Sequence, residues 1–301
     1  MEKYLPNSKA AAVIDECDNR KRLAKDLDQL PEDVSISTMT ITCKIKTEFN
    51  VANIGRYIDL KYNGIVTVKH GANDDKTTNR SLIFKKQTAQ KNKKKKKSFY
   101  NQITILIRTK KCSKGTNIKL FTNGAIQMTG VKSVEGMSEA LTQMFNELKV
   151  VKAIVNPKAN KIIEKPFVKN RDILDIKNIF DLKICMINSN FDVGFNIDRD
   201  KLYDLLNGNN IECTFDPIIH ACVNIKFEHT DKTISIFVFE SGAVIITGAR
   251  TGTQIVAAYT FINKYLLKHY NYINKNNTLT NSTIIEFLDA DDKKIMEESF
   301  E

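Results

Sequence analysis

The chain has 301 residues, 42% of them hydrophobic, and carries a formal net charge of +11. This composition predicts a soluble globular protein that buries one sizeable core or two half-size ones. The six cysteines form no CxxC pair, which favours reduced thiols in an intracellular compartment over a disulfide framework. We expect neither a signal peptide nor a membrane span, since no apolar run approaches roughly 18 residues. The positive charge favours a polyanionic partner, with nucleic acid ahead of a membrane surface.

The first elements in chain order are a charged extension and three short regular segments. Residues 1–33 are highly charged and fit either a short surface helix or a disordered arm. Dense β-branched residues predict a strand over 34–45. Residues 50–60 place their apolar side chains on one helical face, and 64–69 form a second short strand.

A polar stretch over residues 71–98 then interrupts the pattern and ends in Lys91 and the run 93–97. One interpretation is a solvated insertion that cannot bury enough surface to become ordered. The other is a flexible polycation that adds nonspecific phosphate contacts. A short lysine run also suits a targeting signal.

Strands resume at 99–108, 117–121 and 125–129, and a helix follows over 133–150 with an apolar stripe typical of a core-facing helix. Residues 156–172 contain Pro157 and Pro166 and are predicted to be a linker.

The same order of elements recurs in the second half of the chain. We predict a strand at 182–187 and then a helix over 198–206 that begins at an acidic cap. Strands follow at 218–227, 234–239 and 243–247, and a final helix has its apolar residues from Ile255 to Leu266 on one face. After about residue 271 the chain becomes polar and then acidic, which predicts a tail. This order predicts an α+β fold in which helices cover one face of an antiparallel meander and leave the other open.

An internal duplication organises the chain. Residues 121–130 read FTNGAIQMTG and residues 239–248 read FESGAVIITG, with five identities at one constant offset of 118 residues. A period of this length is too long for a solenoid, so we predict two copies of one small domain. The first copy is placed at 34–154 and the second at 155–270.

The alternation of each strand assigns its side chains to two faces. Ile118 and Leu120 must face the helices, so Phe121 points to the open face. The same reasoning turns Phe239 outward, because Ile234, Ile236 and Val238 occupy the core side. A large aromatic residue on the open face at equivalent places in both copies suggests a function.

The hairpin turn tests this assignment. A two-residue turn at Asn123 and Gly124 would pair Phe121 with Ile126 and put them on one face. A three-residue loop with Gly124 in the left-handed region is predicted instead, with Phe121 opposite Gln127. The same argument applies around Gly242.

The duplicated motif, Phe-x-x-Gly followed by Thr-Gly and a basic residue before a long helix, resembles the TATA-box-binding protein family. The resemblance covers residues 34–270 and is strongest at 117–150 and 235–270. It implies tandem pseudo-symmetric repeats that form a curved, saddle-like antiparallel sheet with helices on the convex face. In that family the concave face grips the DNA minor groove, and the helices bind other transcription factors.

Carried over by motif, the resemblance assigns DNA-contacting roles to particular positions. Phe121 and Phe239 match one intercalating residue of each repeat, and Phe99 and Phe215 the second. Regular alternation puts Phe99 on the core face, which makes Tyr100 its substitute. The remaining expected contacts are Thr129, Thr247, Gln127, Ile245, Lys119 and Phe237.

The sequence also departs from the family pattern. The paired asparagines that contact the central bases fall at Thr38 and Met186, and Asn188 would need a register shift to replace the second. Several basic positions become Ala125, Ala243 and Ile105. We expect groove binding and kinking to persist with an altered sequence preference.

The resemblance therefore implies a transcription initiation factor that binds AT-rich promoter DNA and recruits transcription factors and RNA polymerase. It would act in the nucleus or, for a viral protein, in a cytoplasmic viral factory or the virion. No catalytic residue, cofactor, membrane or small-molecule substrate is expected, since no catalytic or phosphate-binding motif is evident. No metal is expected either, because Cys213, His220, Cys222 and His229 match no zinc spacing.

The alternative is an adaptor that covers its outward phenylalanines with a protein partner. A DNA glycosylase is disfavoured, because no helix-hairpin-helix and no catalytic Lys/Asp pair are evident.

Overall fold

The computed structural model describes residues 8–71, 78–83, 99–157, 160–230 and 232–275, with 8–17 described by backbone alone. The chain divides into two compact units. Unit 1 comprises Met1–Leu27 and Ser37–Ile187, and unit 2 comprises Asp28–Ile36 and Asn188–Glu301.

Unit 1 contains a meander and the helices that cover it. Its strands are most of β1 (Ser35–Ile45), β2 (Ile65–His70), β3 (Thr78–Ser81), β4 (Gln102–Ile107), β5 (Thr116–Phe121), β6 (Ala125–Val131), β7 (Lys152–Asn156), β8 (Lys161–Lys165) and the first part of β9 (Ile179–Asp192). Its helices are α1 (Ser8–Leu27), α2 (Val51–Tyr57), α3 (Val134–Leu148) and a 3₁₀ turn at Ile176–Asn178. The strand order β1-β6-β5-β4-β2-β3 is antiparallel throughout.

Unit 2 repeats this plan in fewer elements. It contains the end of β9, α4 (Arg199–Gly208), β10 (Cys213–Thr214), β11 (Cys222–His229), β12 (Lys232–Phe239), β13 (Ala243–Ala249), α5 (Gly252–Lys268) and α6 (Tyr270–Ile273). The strand order is β10-β11-β12-β13-β9. The predicted α+β class with repeated antiparallel sheets is confirmed.

The core of each unit lies between one face of its sheet and its long helix. In unit 1, Ile118, Leu120 and Met128 are fully buried beside Met137 and Leu141 of α3. In unit 2 the corresponding residues are Ile236, Val238 and Ile246, beside Ile255 and Ile262 of α5. Burial of this apolar area, at about 25 cal/mol per Å², is the main force that holds each helix on its sheet.

The acidic cap predicted at the start of α4 is present, and α3 and α5 begin at capping hydroxyl groups. The Asp198 carboxylate accepts a hydrogen bond from the Lys201 amide at 3.2 Å, which makes it the acidic cap of α4. Ser133 Oγ accepts from the Gly136 amide at the start of α3, and Thr251 Oγ1 accepts from the Gln254 amide at the start of α5.

The two hairpin loops each hold three residues, as predicted. Lys119 pairs with Gln127 and Leu120 with Ile126, so Phe121 lies opposite Ala125 across residues 122–124. The predicted pairing of Phe121 with Gln127 is therefore wrong, although the faces are right because both pairings keep the same parity. Gly124 and Gly242 have φ angles of 85° and 87°, in the left-handed region.

Residues 156–172 are not the simple linker that their prolines predicted. β7 and β8 form a hairpin in which Val155 pairs with Ile162, because β-branched residues flank a turn on both sides. Pro157 lies in the turn and Pro166 just after β8, where neither interrupts the ladder. After this hairpin the chain runs past the start of α2, where the Asn50 amide donates to the Phe167 carbonyl. Unit 1 therefore continues past the repeat boundary predicted at 154/155.

Part of the polar stretch 71–98 forms a strand. Residues 78–81 form β3 against β2, and Arg80 donates to the carbonyls of Gly55, Arg56 and Ile58 at 2.7–3.1 Å. This guanidinium satisfies carbonyls that the end of α2 leaves without helical partners. Residues 72–77 and 84–98, with the lysine run, lie outside the described residues.

At the two ends of the chain, the structure decides between two expectations for residues 1–33 and corrects the predicted start of the tail. Of the two interpretations of residues 1–33, the helix is right over Ser8–Leu27. The tail predicted after about residue 271 begins too early, because Ile273 of α6 is buried in unit 2. The rest of the predicted tail, 276–301, lies outside the described residues. The strand predicted from 218 begins at Cys222, since Asp216 and Pro217 start a turn.

Candidate nucleic-acid interface

The open face of each unit is the sheet face opposite its long helix. On β5, β6, β12 and β13 its side chains alternate with fully buried ones. All eight predicted contacts on these strands lie there and are half-buried: Lys119, Phe121, Gln127, Thr129, Phe237, Phe239, Ile245 and Thr247. The face assignment from strand alternation is correct for both units.

In unit 1 the strand register brings polar side chains into rows across the open face. One row runs Lys69, Thr104, Lys119, Gln127 and Thr42 over five neighbouring strands. The next row contains Gln102, Phe121, Ala125 and Lys44. In these two rows, Phe121 is therefore surrounded by cationic and hydrogen-bonding side chains.

In unit 2 the corresponding rows are more apolar. Asn224, Phe237 and Ile245 take the places of Thr104, Lys119 and Gln127. Cys222 and Phe239 form the row at the hairpin end. The two open faces share their geometry but differ in chemistry, so a ligand bound across each would be held by charge in unit 1 and by apolar contact in unit 2.

The hairpin turns fix the outward phenylalanines on rigid backbone. The Gly124 amide donates to the Phe121 carbonyl at 3.0 Å, and the Gly124 carbonyl accepts from the Ile45 amide at 3.0 Å. In unit 2 the Gly242 amide donates to the Phe239 carbonyl at 3.1 Å, and its carbonyl accepts from the Val193 amide at 3.0 Å. Each phenylalanine thus ends a strand whose turn is hydrogen-bonded on both sides.

The second predicted pair, Phe99 and Phe215, is placed differently in the two units. Phe99 precedes β4 and is 61% exposed, so it does not lie on the core face that regular alternation predicted. Phe215 is half-buried, with the Arg199 guanidinium 5.4 Å from its ring centroid. With Phe237 it lines a cavity of about 470 Å³ at the edge of the open face.

Asn188 lies on the open face because the alternation of β9 slips by one residue. Leu182 and Ile184 are buried, and so is Ile187, which turns Asn188 outward. Its Oδ1 accepts a hydrogen bond from Thr247 Oγ1. In unit 1 the residue opposite Thr129 is Thr40, so only the second open face has an amide at this place.

One open-face lysine of unit 1 is partly neutralised. Lys44 Nζ lies 2.9 Å from Asp181 Oδ2, and Lys183 Nζ lies 2.6 Å from Asp181 Oδ1. Hydrogen bonds from Lys183 and Lys44 hold the pKa of the Asp181 carboxyl below its ordinary value. The carboxylate is therefore ionised at neutral pH and reduces the positive potential beside Phe121.

The cysteines of unit 2 are free thiols in partly apolar surroundings. Burial raises the pKa of the Cys213 and Cys222 thiols, which keeps them protonated at neutral pH. Within the described ranges, no three His, Cys, Asp or Glu side chains converge on one point. No helix in the described part of the chain is long and apolar enough to cross a membrane.

Sequence comparisons relate this chain to known proteins. The family model described as "Transcription factor TFIID (or TATA-binding protein, TBP)" matches residues 181–269. The "TATA-box-binding protein-like" protein of Acanthamoeba polyphaga mimivirus is 37% identical over 254 residues, or 80% of this chain. The chain spans 66% of that relative's length, slightly less than two thirds. Methanococcus jannaschii TBP has a similar structure, with a TM-score of 0.47 and 15% identity over 78% of this chain and 99% of that one.

The duplicated hairpin and these sequence matches have one explanation. The chain belongs to the TATA-box-binding protein family, as a divergent TBP-like member.

Several open-face residues were missed by sequence reasoning. Lys44, Lys69 and Lys226 occupy the open face through strand pairing, and Ile218 and Ile219 are exposed in the turn before β11. The parity of each strand could have identified the lysines. The exposed isoleucines had no such signal, because they were assigned to a strand that begins four residues later.

Proposed function

We propose that this protein binds double-stranded DNA through the open faces of its two units and acts in transcription initiation. The observation that carries the proposal is the pair Phe121 and Phe239, outward and half-buried at identical places of two hairpins. An apolar ring beside the small side chains of Ala125 and Thr129, or of Ala243 and Thr247, suits the minor groove, where apolar side chains enter base steps. No catalytic step is part of the proposal.

The charge distribution supports a DNA partner. Lys44, Lys69 and Lys119 project from the open face of unit 1, and Lys226 from that of unit 2. Each lysine that neutralises a phosphate releases a counterion. Phosphate contacts position a protein on a duplex, whereas base contacts and DNA deformation specify sequence. We therefore assign positioning to these lysines and deformation to the phenylalanines.

Sequence preference should be asymmetric. The Asn188 amide in unit 2 is oriented by Thr247, while unit 1 has Thr40 at the same place. Minor-groove readout mainly distinguishes A·T from G·C pairs. We propose AT-rich promoter DNA as the target, with the stronger discrimination in the half-site under unit 2. This role implies that the protein acts where promoter DNA and RNA polymerase are both present, in a nucleus or in a viral factory.

Binding of end-labelled AT-rich and GC-rich duplexes, measured by fluorescence anisotropy at several salt concentrations, tests the proposal. We expect salt-dependent binding with a preference for the AT-rich duplex. Lys119→Gln should weaken binding to both duplexes alike and lower the magnitude of the salt slope by about 0.9. Lys21→Gln on the exposed face of α1 is the matched control, with an unchanged slope.

A different outcome would favour the adaptor function. Absence of salt-dependent binding to either duplex, together with a stable complex with a protein partner, contradicts the DNA proposal. The specific observation behind the adaptor is the exposed pair Val155 and Ile162 on the β7–β8 hairpin, which the DNA proposal leaves unused.

Removal of the acid beside Phe121 should strengthen DNA binding. Asp181→Asn releases Lys44 and Lys183 from their ion pairs, which raises the positive potential of the open face of unit 1. We expect a few-fold higher affinity at low salt and a steeper salt dependence, since one further phosphate contact adds about 0.9 to the slope. Glu48→Gln frees the exposed Lys169 in the same way and serves as control. Equal effects of both variants would mean that only net charge matters.

A further inference from the structure

Unit 2 contains a cavity with aromatic walls beside its open face. The cavity has a volume of about 470 Å³ and is lined by the rings of Tyr203 on α4, Phe215 after β10 and Phe237 on β12. Asn224 and Cys222 of β11 also line it. Because Asn224 pairs with Phe237, whose ring lies on the open face, the cavity adjoins that face. Its volume is within the range of small-molecule sites.

The aromatic wall formed by Phe215 and Tyr203 is held in place without a ligand. The two ring centroids lie 6.1 Å apart, and the Arg199 guanidinium lies 5.4 Å from the centroid of Phe215. This guanidinium donates hydrogen bonds to the Ala221 carbonyl and to the Glu240 carboxylate, each at 2.7 Å. A ligand that enters the cavity therefore meets a preformed wall and does not have to order these side chains.

The Asn224 side chain brings an unused hydrogen-bond acceptor to this cavity. Its Oδ1 is buried and accepts no hydrogen bond from any described residue. The other amide on this open face, Asn188, accepts from Thr247. A buried oxygen without a donor is costly, and a ligand that supplies the donor removes that cost. Unit 1 pairs Thr104 with Lys119 at the corresponding place, so it has neither the amide nor the ring.

These groups match the chemistry of an adenine ring. Aromatic side chains stack on the flat face of a nucleobase. A carboxamide recognises adenine by accepting from its exocyclic amine and donating to N7. Lys226 follows Asn224 by two residues on β11 and so lies on the same face, with its Nζ 2.8 Å from Ser235 Oγ. A cation is thus available for a phosphate on the open-face side, whereas the Asp216 carboxylate lines the cavity at the turn.

We propose that this cavity is an adenine-binding site. Phe215 and Phe237 hold the ring by aromatic contact, and Asn224 Oδ1 accepts a hydrogen bond from the exocyclic amine. A free adenine nucleotide and an adenosine turned out of a DNA strand both present this ring, and the experiment below distinguishes the two sources. The site goes beyond the proposed function and does not depend on it, because a free nucleotide binds without a duplex.

Calorimetric titration of the full chain with adenosine monophosphate and with thymidine monophosphate tests the site. We expect the adenine nucleotide to bind about 10-fold tighter, because thymine has no exocyclic amine to donate to Asn224. Asn224→Leu should remove this preference. Phe215→Leu should weaken both nucleotides about 5- to 50-fold through lost stacking. Asn271→Leu makes the same change as Asn224→Leu at an exposed position of α6 and should alter neither affinity.

Melting curves separate a ligand-binding role of Asn224 from a structural one. Without nucleotide, Asn224→Leu should melt at the wild-type temperature or above it, since the variant removes a buried oxygen that has no partner. Adenosine monophosphate should raise the melting temperature of the wild type and leave that of the variant unchanged. A lower melting temperature of the ligand-free variant, with its nucleotide affinity unchanged, overturns the assignment.

The source of the adenine is decided by the affinity of Asn224→Leu for the AT-rich duplex, measured by fluorescence anisotropy. A few-fold loss assigns the adenine to the DNA strand. An unchanged duplex affinity, together with lost binding of adenosine monophosphate, assigns it to a free nucleotide. If Asn224→Leu alters neither nucleotide nor duplex binding, the site is wrong. If the wild-type chain binds the nucleotide but no duplex, the proposed function fails and the adenine site stands.

Discussion

Replacement of both Phe121 and Phe239 by alanine is expected to abolish most of the DNA bend. Each ring buried in a base step contributes about 1.5–3 kcal/mol. Part of this loss is offset, because the straighter DNA no longer carries a deformation energy on the order of 1–6 kcal/mol. We therefore expect affinity to fall about 10- to 100-fold, with the bend lost and the salt slope retained. Energy transfer across an end-labelled AT-rich duplex measures the bend.

Two controls separate wedging from folding in this experiment. Phe121→Leu plus Phe239→Leu keeps an apolar wedge and should retain much of the bend. Tyr62→Ala removes an aromatic side chain that is 64% exposed in the turn before β2 and should change neither quantity. If the alanine pair bends DNA as wild type does while its melting curve is unchanged, the phenylalanines are not wedges.

Gly242→Ala is expected to destabilise unit 2 by about 2–5 kcal/mol, through a left-handed φ angle and a steric overlap. A Cβ at this position would lie 2.4 Å from the Phe195 carbonyl oxygen, and backbone cannot rotate away as a side chain can. Urea denaturation measures the loss, and hydrogen exchange should place it in amides of β12 and β13. The same substitution at Gly124 should act on unit 1, where the Cβ would lie 2.2 Å from the Ile45 carbonyl oxygen.

Gly194 provides the control for this prediction. Its φ angle of 81° is also left-handed, but nothing lies within 4 Å of an added Cβ. Gly194→Ala should therefore cost only the conformational term, about 1–2 kcal/mol. If Gly194→Ala and Gly242→Ala lowered the free energy of unfolding equally, the overlap with the Phe195 carbonyl oxygen would contribute nothing to the effect at Gly242.

Strand alternation and the exact spacing of the duplication were sufficient to predict the class of fold and the faces of the central hairpins. The outward placement of Phe121 and Phe239 follows from neighbours two residues away, since a strand has a period of two. The three-residue loop follows from the same parity. The partner across the loop does not, because several pairings share one parity, and the predicted opposition of Phe121 to Gln127 was wrong for that reason.

The roles carried over from the family depend on more than local pattern. Phe99 and Phe215 were chosen by motif position, yet one is exposed before β4 and the other is packed against Tyr203. Whether such a ring is exposed or covered depends on residues of other elements, as with Tyr203 of α4 beside Phe215. The turn at Asp216 matters as well, because it makes β11 begin at Cys222, four residues later than the apolar pattern suggested.

The sequence by itself determined the duplication, the α+β order of elements, the core faces of β5, β6, β12 and β13, and the glycines that their turns require. These features depend on interactions between residues near in sequence. Tertiary structure alone decided which strands bring Lys44 and Lys69 beside Phe121, how Asp181 neutralises Lys44, and that Asn188 lies beside Thr247. Those features join residues more than fifty positions apart, and the register and packing that bring them together are set by the whole unit.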